Sequence, residues 1–104
     1  MQMNHRHEDA TIESRLVRVR GLVQGVGYRY ACVRRAQSLG LTGWVRNRTD
    51  NSVELLIQGS PQQLDVLCGW LRHGVPGARV DEMEVGQVQP PSPRLQRFER
   101  RPTV

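Results

Sequence analysis

The hydrophobic period of this chain changes within seven residues, and that change restricts the fold more than any other feature. Arg15-Leu-Val-Arg-Val-Arg20 alternates, with Val17 and Val19 on one face and Arg18 and Arg20 on the other. This is the two-residue period of a half-buried strand. Gly21-Leu-Val-Gln-Gly-Val-Gly27 follows, with three glycines in seven residues. From about Tyr28 the period becomes helical: Cys32, Ala36 and Leu39 recur on one face, while Arg34, Arg35 and Gln37 take the wet side. Gly40 supplies a left-handed stop.

Two further strand patterns come next. Thr42 to Arg48 places Trp44, Arg46 and Arg48 on one face and Gly43, Val45 and Asn47 on the other, and Val53 to Gln58 turns Val53, Leu55 and Ile57 inward. Thr49-Asp-Asn-Ser52 reads as a tight hairpin turn, because Asp and Asn tolerate positive φ. The second helix has a clear start: Ser60 as N-cap, Pro61 at the first helical position and Gln63 completing a capping box. Leu64, Leu67, Cys68 and Leu71 form its apolar stripe, and Gly74 ends it. His73, at that end, suits the negative end of the helix dipole. Arg79 to Val85 is a fourth strand whose apolar phase slips between Val80 and Met83, which predicts a bulge. Pro90-Pro-Ser-Pro93 is a stiff connector to a short final segment around Phe98, a candidate edge strand.

The order β-α-β-β-α-β predicts an α+β, ferredoxin-like sandwich. In that fold an antiparallel sheet carries two helices on one face, and the preference for right-handed crossovers puts both on the same side. The first and third strands should be central. Residues 1–14, polar and without periodicity, are expected to be a flexible extension, and 15–101 the folded domain. His5 and His7 in that extension read as solvated rather than as metal ligands.

A chain of 104 residues is one domain's worth, and 38% hydrophobic with 24% charged residues fits a globular chain. The net charge is +5, and all 15 basic residues are arginine. That balance favours an anionic ligand without choosing between a phosphate-bearing small molecule and a nucleic acid. Cys32 and Cys68 have neither CxxC nor metal-ligand spacing and read as reduced, buried thiols. The polar N-terminus is no signal peptide, and no apolar run reaches membrane-spanning length. A cytoplasmic protein without membrane association is expected.

Chemistry is expected at the glycine-rich bend. Glycines let backbone N–H groups approach a ligand closely, and the bend ends at a helix N-terminus, where free N–H groups and the dipole favour an anion. Arg29 stands at that point with a guanidinium that can grip two phosphate oxygens and keeps its charge. Gly-Lys-Ser/Thr is absent, and the bend does not lie in a parallel dinucleotide-binding unit, so a nucleotide site is not expected.

The stretch Gly21-Leu-Val-Gln-Gly-Val-Gly-Tyr-Arg29 resembles the acylphosphatase signature G-x-V-Q-G-V-x-[FY]-R. A second family motif follows at Leu39-Gly-Leu-Thr-Gly-Trp-Val-Arg-Asn47 and Asp50-Asn-Ser-Val-Glu54, so the resemblance covers roughly residues 15 to 85. It implies metal-independent hydrolysis of acyl phosphates, with no cofactor. The phosphoryl group would be held by the backbone amides of Gln24, Gly25, Val26, Gly27 and Tyr28 and by Arg29, and Asn47 would orient the attacking water. An amide suits that task, since it can accept from water and donate to phosphate at once. No general base stands out; Asp50 and Glu54 read as solvated hairpin charges. A reactive anhydride needs mainly positioning and charge stabilisation, and the family's proposed mechanism lets the substrate's own phosphate take the water's proton.

The expected partners are a small-molecule acyl phosphate and inorganic phosphate as product and inhibitor, for a monomeric, free-standing enzyme. The chain departs from the family in two places. Asp-Asn replaces the frequent Asp-Gly in the turn, and Phe98-Glu-Arg-Arg-Pro102 stands where a short strand with an aromatic after Ile-Arg is usual, Arg100 and Pro102 being poorly suited to an inner strand. The rival from another class is an RNA-recognition module of the same topology. Such modules display aromatics on the two central strands for base stacking. The first and third strands here have none, and Trp44 reads as packing over the open face of the sheet. Nucleic acid is therefore not the expected partner.

Overall fold

The computed structural model describes residues 12–89 and 93–104. His5, His7 and most of the predicted extension lie outside these, as do Pro90, Pro91 and Ser92 of the connector. The elements run β1 (Glu13–Leu22), α1 (Tyr28–Ser38), β2 (Thr42–Asn47), β3 (Val53–Gly59), α2 (Pro61–His73), β4 (Arg79–Gln87) and β5 (Phe98–Arg100). β1 starts two residues before Arg15, because Glu13 and Ser14 still pair with Gly59 and Gln58 of β3.

The sheet order is β4-β1-β3-β2-β5, with β1 and β3 inside as the topology predicts. The four longer strands pair antiparallel. β5 adds a fifth that runs parallel to β2, opposing Phe98 to Gly43 and Arg100 to Val45, so the sheet is mixed rather than antiparallel throughout. The expected slip in β4 is a bulge at Asp81: Arg20 faces Glu82, but the next residue, Gly21, faces Val80.

One face of the sheet carries the core. Val17, Val19, Val45, Val53, Leu55 and Ile57 pack against Tyr28, Cys32 and Ala36 of α1 and Leu64, Leu67 and Leu71 of α2 in a single buried cluster. Cys68, assigned to the same stripe, is only half-buried. Both cysteines are free, and burial pushes both thiols up, Cys32 beyond any physiological titration. Gly43 is required by close approach: at φ 140 any side chain would collide with the Leu56 carbonyl and crowd the Phe98 ring. Its absence lets Phe98 bury to 2% exposure beside β2.

The start of α2 carries the predicted Ser60–Gln63 pairing in altered form. The Ser60 hydroxyl accepts from the Gln63 backbone N–H at 3.2 Å and donates to the Gln63 side-chain oxygen at 3.3 Å, while the Gln63 side-chain nitrogen donates to the Leu39 carbonyl at 2.9 Å. Leu39 caps the C-terminal end of α1, where carbonyls lack helical partners, and this one takes the donor.

The open face is organised around Glu54. The hairpin register sets it beside Arg18 of β1 and Arg46 of β2. Three guanidiniums, from Arg18, Arg46 and Arg48, close on its carboxylate at 3.2, 2.8 and 3.1 Å. Glu54 is only 4% exposed, so it is not the solvated turn charge the sequence suggests. Burial alone would raise its pKa, but hydrogen bonds and charge from Arg46, Arg18 and Arg48 outweigh that and hold it below the ordinary glutamate value. Trp44, beside this cluster, lies under the guanidiniums of Arg46 and Arg101, 4.5 and 5.5 Å from its ring centre.

Candidate active site

The glycine-rich bend takes its shape from two valines. Val23 is buried and Val26 packs half-buried against the core, while Gly25 and Gly27 face solvent, both at φ 78. Apolar anchoring on alternate sides thus turns the intervening backbone outward. Gly27 is the N-cap of α1 in the left-handed conformation, and as a glycine it offers no capping side chain. The first intrahelical bond runs from Ala31 N–H to the Gly27 carbonyl. Among the described residues, no acceptor takes the N–H groups of residues 24–28. A cluster of free amides at a helix start is therefore open to an anion.

Tyr28 fixes the orientation of that helix start. Its ring is 1% exposed, and its hydroxyl donates to the Leu71 carbonyl at 2.7 Å, pinning the first turn of α1 to the last turn of α2. Burial pushes the hydroxyl far above an ordinary tyrosine, so it stays protonated as a donor. Arg29, the next residue, is half-buried, and among the described residues it forms no ion pair. It lines a cavity of about 240 Å3 together with Val23, Gly25, Gly27, Tyr28, Tyr30 and Arg100.

Of the loop residues named from the sequence, Gly25, Gly27 and Tyr28 thus share a cavity with Arg29, whereas Gln24 and Val26 do not line it. The Gln24 side chain has another task. Its amide nitrogen donates to the carbonyls of Arg48 at 2.9 Å and Ser52 at 2.8 Å, binding the bend to the β2–β3 hairpin. The hairpin is rigid in turn. Arg48 N–H donates to the Ser52 carbonyl at 2.9 Å, and Asn51 occupies the left-handed region at φ 74, so Asn does here what glycine does in the Asp-Gly variant. Asp50 accepts from the hydroxyl and backbone N–H of Ser52 and pairs with Arg20 at 3.3 Å, which holds its carboxyl down to about 2.

Asn47, the last residue of β2, immediately precedes the carbonyl-bearing Arg48 that Gln24 grips. It is not among the residues lining the Arg29 cavity, but it sits at the strand end to which the bend is tied. Its backbone carbonyl accepts from Val104 N–H at 3.2 Å. Its side-chain oxygen is buried and, among the described residues, has no hydrogen-bond partner. A buried amide oxygen left unsatisfied costs about 1–3 kcal/mol unless something donates to it. Such an oxygen is free to accept from water or a ligand hydroxyl.

Of the cavity residues, Val23, Tyr30 and Arg100 were not singled out as site residues from the sequence, and the charged one among them is Arg100. Its alternation with Phe98 puts it on the helix side of β5, opposite Val45, two residues before Asn47 along β2. Only the parallel pairing of β5 reveals this, and the bonds Gly43 N–H to Arg97 and Arg101 N–H to Val45 carry that pairing. Pro102 follows the strand instead of interrupting it. His73, at the exposed end of α2, lies outside the cavity. Among the described residues, no three His, Cys, Asp or Glu side chains gather where they could hold a metal ion. No described helix is long and apolar enough to cross a membrane.

Comparison with known proteins identifies the family. The acylphosphatase family model matches residues 15–100. The chain is 60% identical over 95 residues to acylphosphatase 1 of Ralstonia nicotianae, covering 91% of this chain and 93% of that protein. Among solved structures, an acylphosphatase from Coxiella burnetii superposes with a TM-score of 0.84 at 30% identity, covering 97% of this chain and 100% of the other. The acylphosphatase of Bacillus subtilis does so at 0.76 and 33% identity, over 85% and 96% of the two chains. By sequence and by fold, this chain belongs to the acylphosphatase family.

Proposed function

We propose that the protein hydrolyses carboxyl–phosphate anhydrides to a carboxylate and inorganic phosphate. In this reading the phosphoryl group rests on the amides of Gln24 to Tyr28 and against the Arg29 guanidinium, and Asn47 orients the attacking water. The water oxygen bonds to phosphorus as the bond from phosphorus to the acyl oxygen breaks. The carboxylate leaves with the bonding electron pair, and the water's proton passes to a phosphate oxygen. Amides already aimed outward and a fixed cation stabilise the charge gathering on the phosphoryl oxygens without reorganising. Since the anhydride has a good leaving group, no metal ion, organic cofactor or general-base side chain takes part. Phosphate, the product, inhibits by occupying the same cradle.

The observation that carries this reading is the buried, unpartnered Asn47 oxygen on the strand end to which Gln24 binds the bend. A residue kept only for a turn would satisfy that oxygen locally, as Asp50 satisfies its own through Ser52. The reading takes the enzyme as a cytoplasmic monomer, and its two free thiols suit a reducing compartment. Hydrolysis of benzoyl phosphate, followed by ultraviolet absorbance with and without EDTA, tests it. Equal rates in both conditions, competitively inhibited by phosphate, are expected. No turnover, or turnover abolished by EDTA, sinks the reading.

A further inference from the structure

The Arg29 cavity is lined by a second arginine that holding one phosphoryl group does not require. Arg100 reaches it from the exposed edge strand β5, whereas Arg29 comes half-buried from the start of α1. Along β5 the side chains alternate. Glu99 and Arg101 fall on the open face of the sheet, where they pair with each other at 3.4 Å. Arg100 falls on the helix side and, like Arg29, forms no ion pair among the described residues. Two cations that share a cavity of about 240 Å3 without a carboxylate repel each other, and a bound ligand with two anionic ends removes that repulsion.

We propose that Arg100 is a specificity-determining residue that binds a second anionic group on the acyl part of the substrate. This proposal rests on the assignment of the phosphoryl group to Arg29 and the loop amides, and it narrows the substrate class to acyl phosphates whose acyl chain carries a carboxylate or another anion. Gly25, Gly27 and Tyr28, whose amides are free, line the cavity with half-buried Arg29, so the phosphoryl end is assigned there. Arg100, the more exposed of the two, is left to meet the acyl chain. Placed opposite Val45 and two residues before Asn47, Arg100 is close enough to the reaction to act on the substrate without being needed for phosphoryl transfer.

The test compares benzoyl phosphate with 4-carboxybenzoyl phosphate, which differs by one fixed carboxylate, and uses 4-methylbenzoyl phosphate as the size control. Wild-type enzyme should show a KM about five- to tenfold lower for the carboxylated substrate, and the gap should shrink as salt rises, since an exposed pair is screened. Arg100→Ala should erase the gap by raising KM for the carboxylated substrate about five- to tenfold more than it changes KM for the other two substrates or inhibition by phosphate. Arg100→Lys should keep most of the gap. Equal losses on all three substrates with weakened phosphate inhibition would mean that Arg100 grips the phosphoryl group, and the proposal is overturned. It is also overturned if wild type shows no preference or if Arg100→Ala leaves the preference intact. An enzyme that turns over none of the three substrates refutes the acyl phosphate reading itself.

Discussion

The side-chain amide of Gln24 donates to the Arg48 carbonyl at 2.9 Å, so the glycine-rich bend and the strand end bearing Asn47 are one unit rather than two loops. A second bond from the same nitrogen, to Ser52, fixes the contact on both sides of the hairpin. Bends rich in glycine have high conformational entropy when free, and this link removes much of it before any ligand arrives.

Gln24→Ala removes both bonds while leaving every proposed phosphate-binding amide and Arg29 in the chain. The loop amides then lose their fixed relation to Asn47, and kcat for benzoyl phosphate should fall about tenfold, because small misplacements are costly in a reaction that depends on positioning. Stability should drop by about 1–2 kcal/mol in urea melts. Unchanged kcat together with the expected loss of stability would show that the link is structural only.

Arg29→Ala removes the cation at the helix start. Turnover should fall by about 10²–10³, the usual effect of deleting one preorganised charge-stabilising group. Phosphate inhibition should weaken in parallel. Because the side chain makes no ion pair among the described residues, the melting temperature should hardly move.

Asn47→Ala separates binding from chemistry. The variant should retain phosphate inhibition near the wild-type level yet lose nearly all turnover. It should not be destabilised by a lost side-chain bond to that oxygen, because the described residues offer it no partner. Benzoyl phosphate hydrolysis at the wild-type rate would remove Asn47 from the mechanism.

Glu54→Gln tests the open face of the sheet, away from the cavity. Three arginines lose the carboxylate that neutralises them, and stability at pH 7 should fall by about 2–3 kcal/mol. The pH dependence has a definite sign. The folded-state pKa of Glu54 lies below its unfolded value near 4.5, so its contribution is complete above that pH and is lost as pH falls toward the folded value. Urea midpoints measured from pH 7 down to pH 3 should therefore converge for the two proteins at the acid end.

Much of this molecule is written in local patterns. The alternation at Val17 and Val19, the glycines of the bend and the helical recurrence of Cys32 and Ala36 determine β1, the turn and α1 from neighbours in the chain alone. The phase slip between Val80 and Met83 even marked the bulge at Asp81. These features were legible because each reflects the backbone period or φ requirement of its own segment. Arg29 and Asn47 were legible for a different reason, as members of two long motifs that resemble one family.

What needed the tertiary structure depends on partners distant in sequence. β5 has only three residues and no period of its own; it is a strand because the free edge of β2 supplies its hydrogen bonds, and that pairing delivers Arg100 to the cavity. Glu54 read as a turn charge until the strand register placed three guanidiniums around it. The Gln63 side-chain nitrogen found its acceptor at Leu39, a carbonyl at the end of another helix. For Glu54 and Gln63 the sequence determined the element and its chemistry, while in all three cases the partners followed from long-range packing, which no local period encodes.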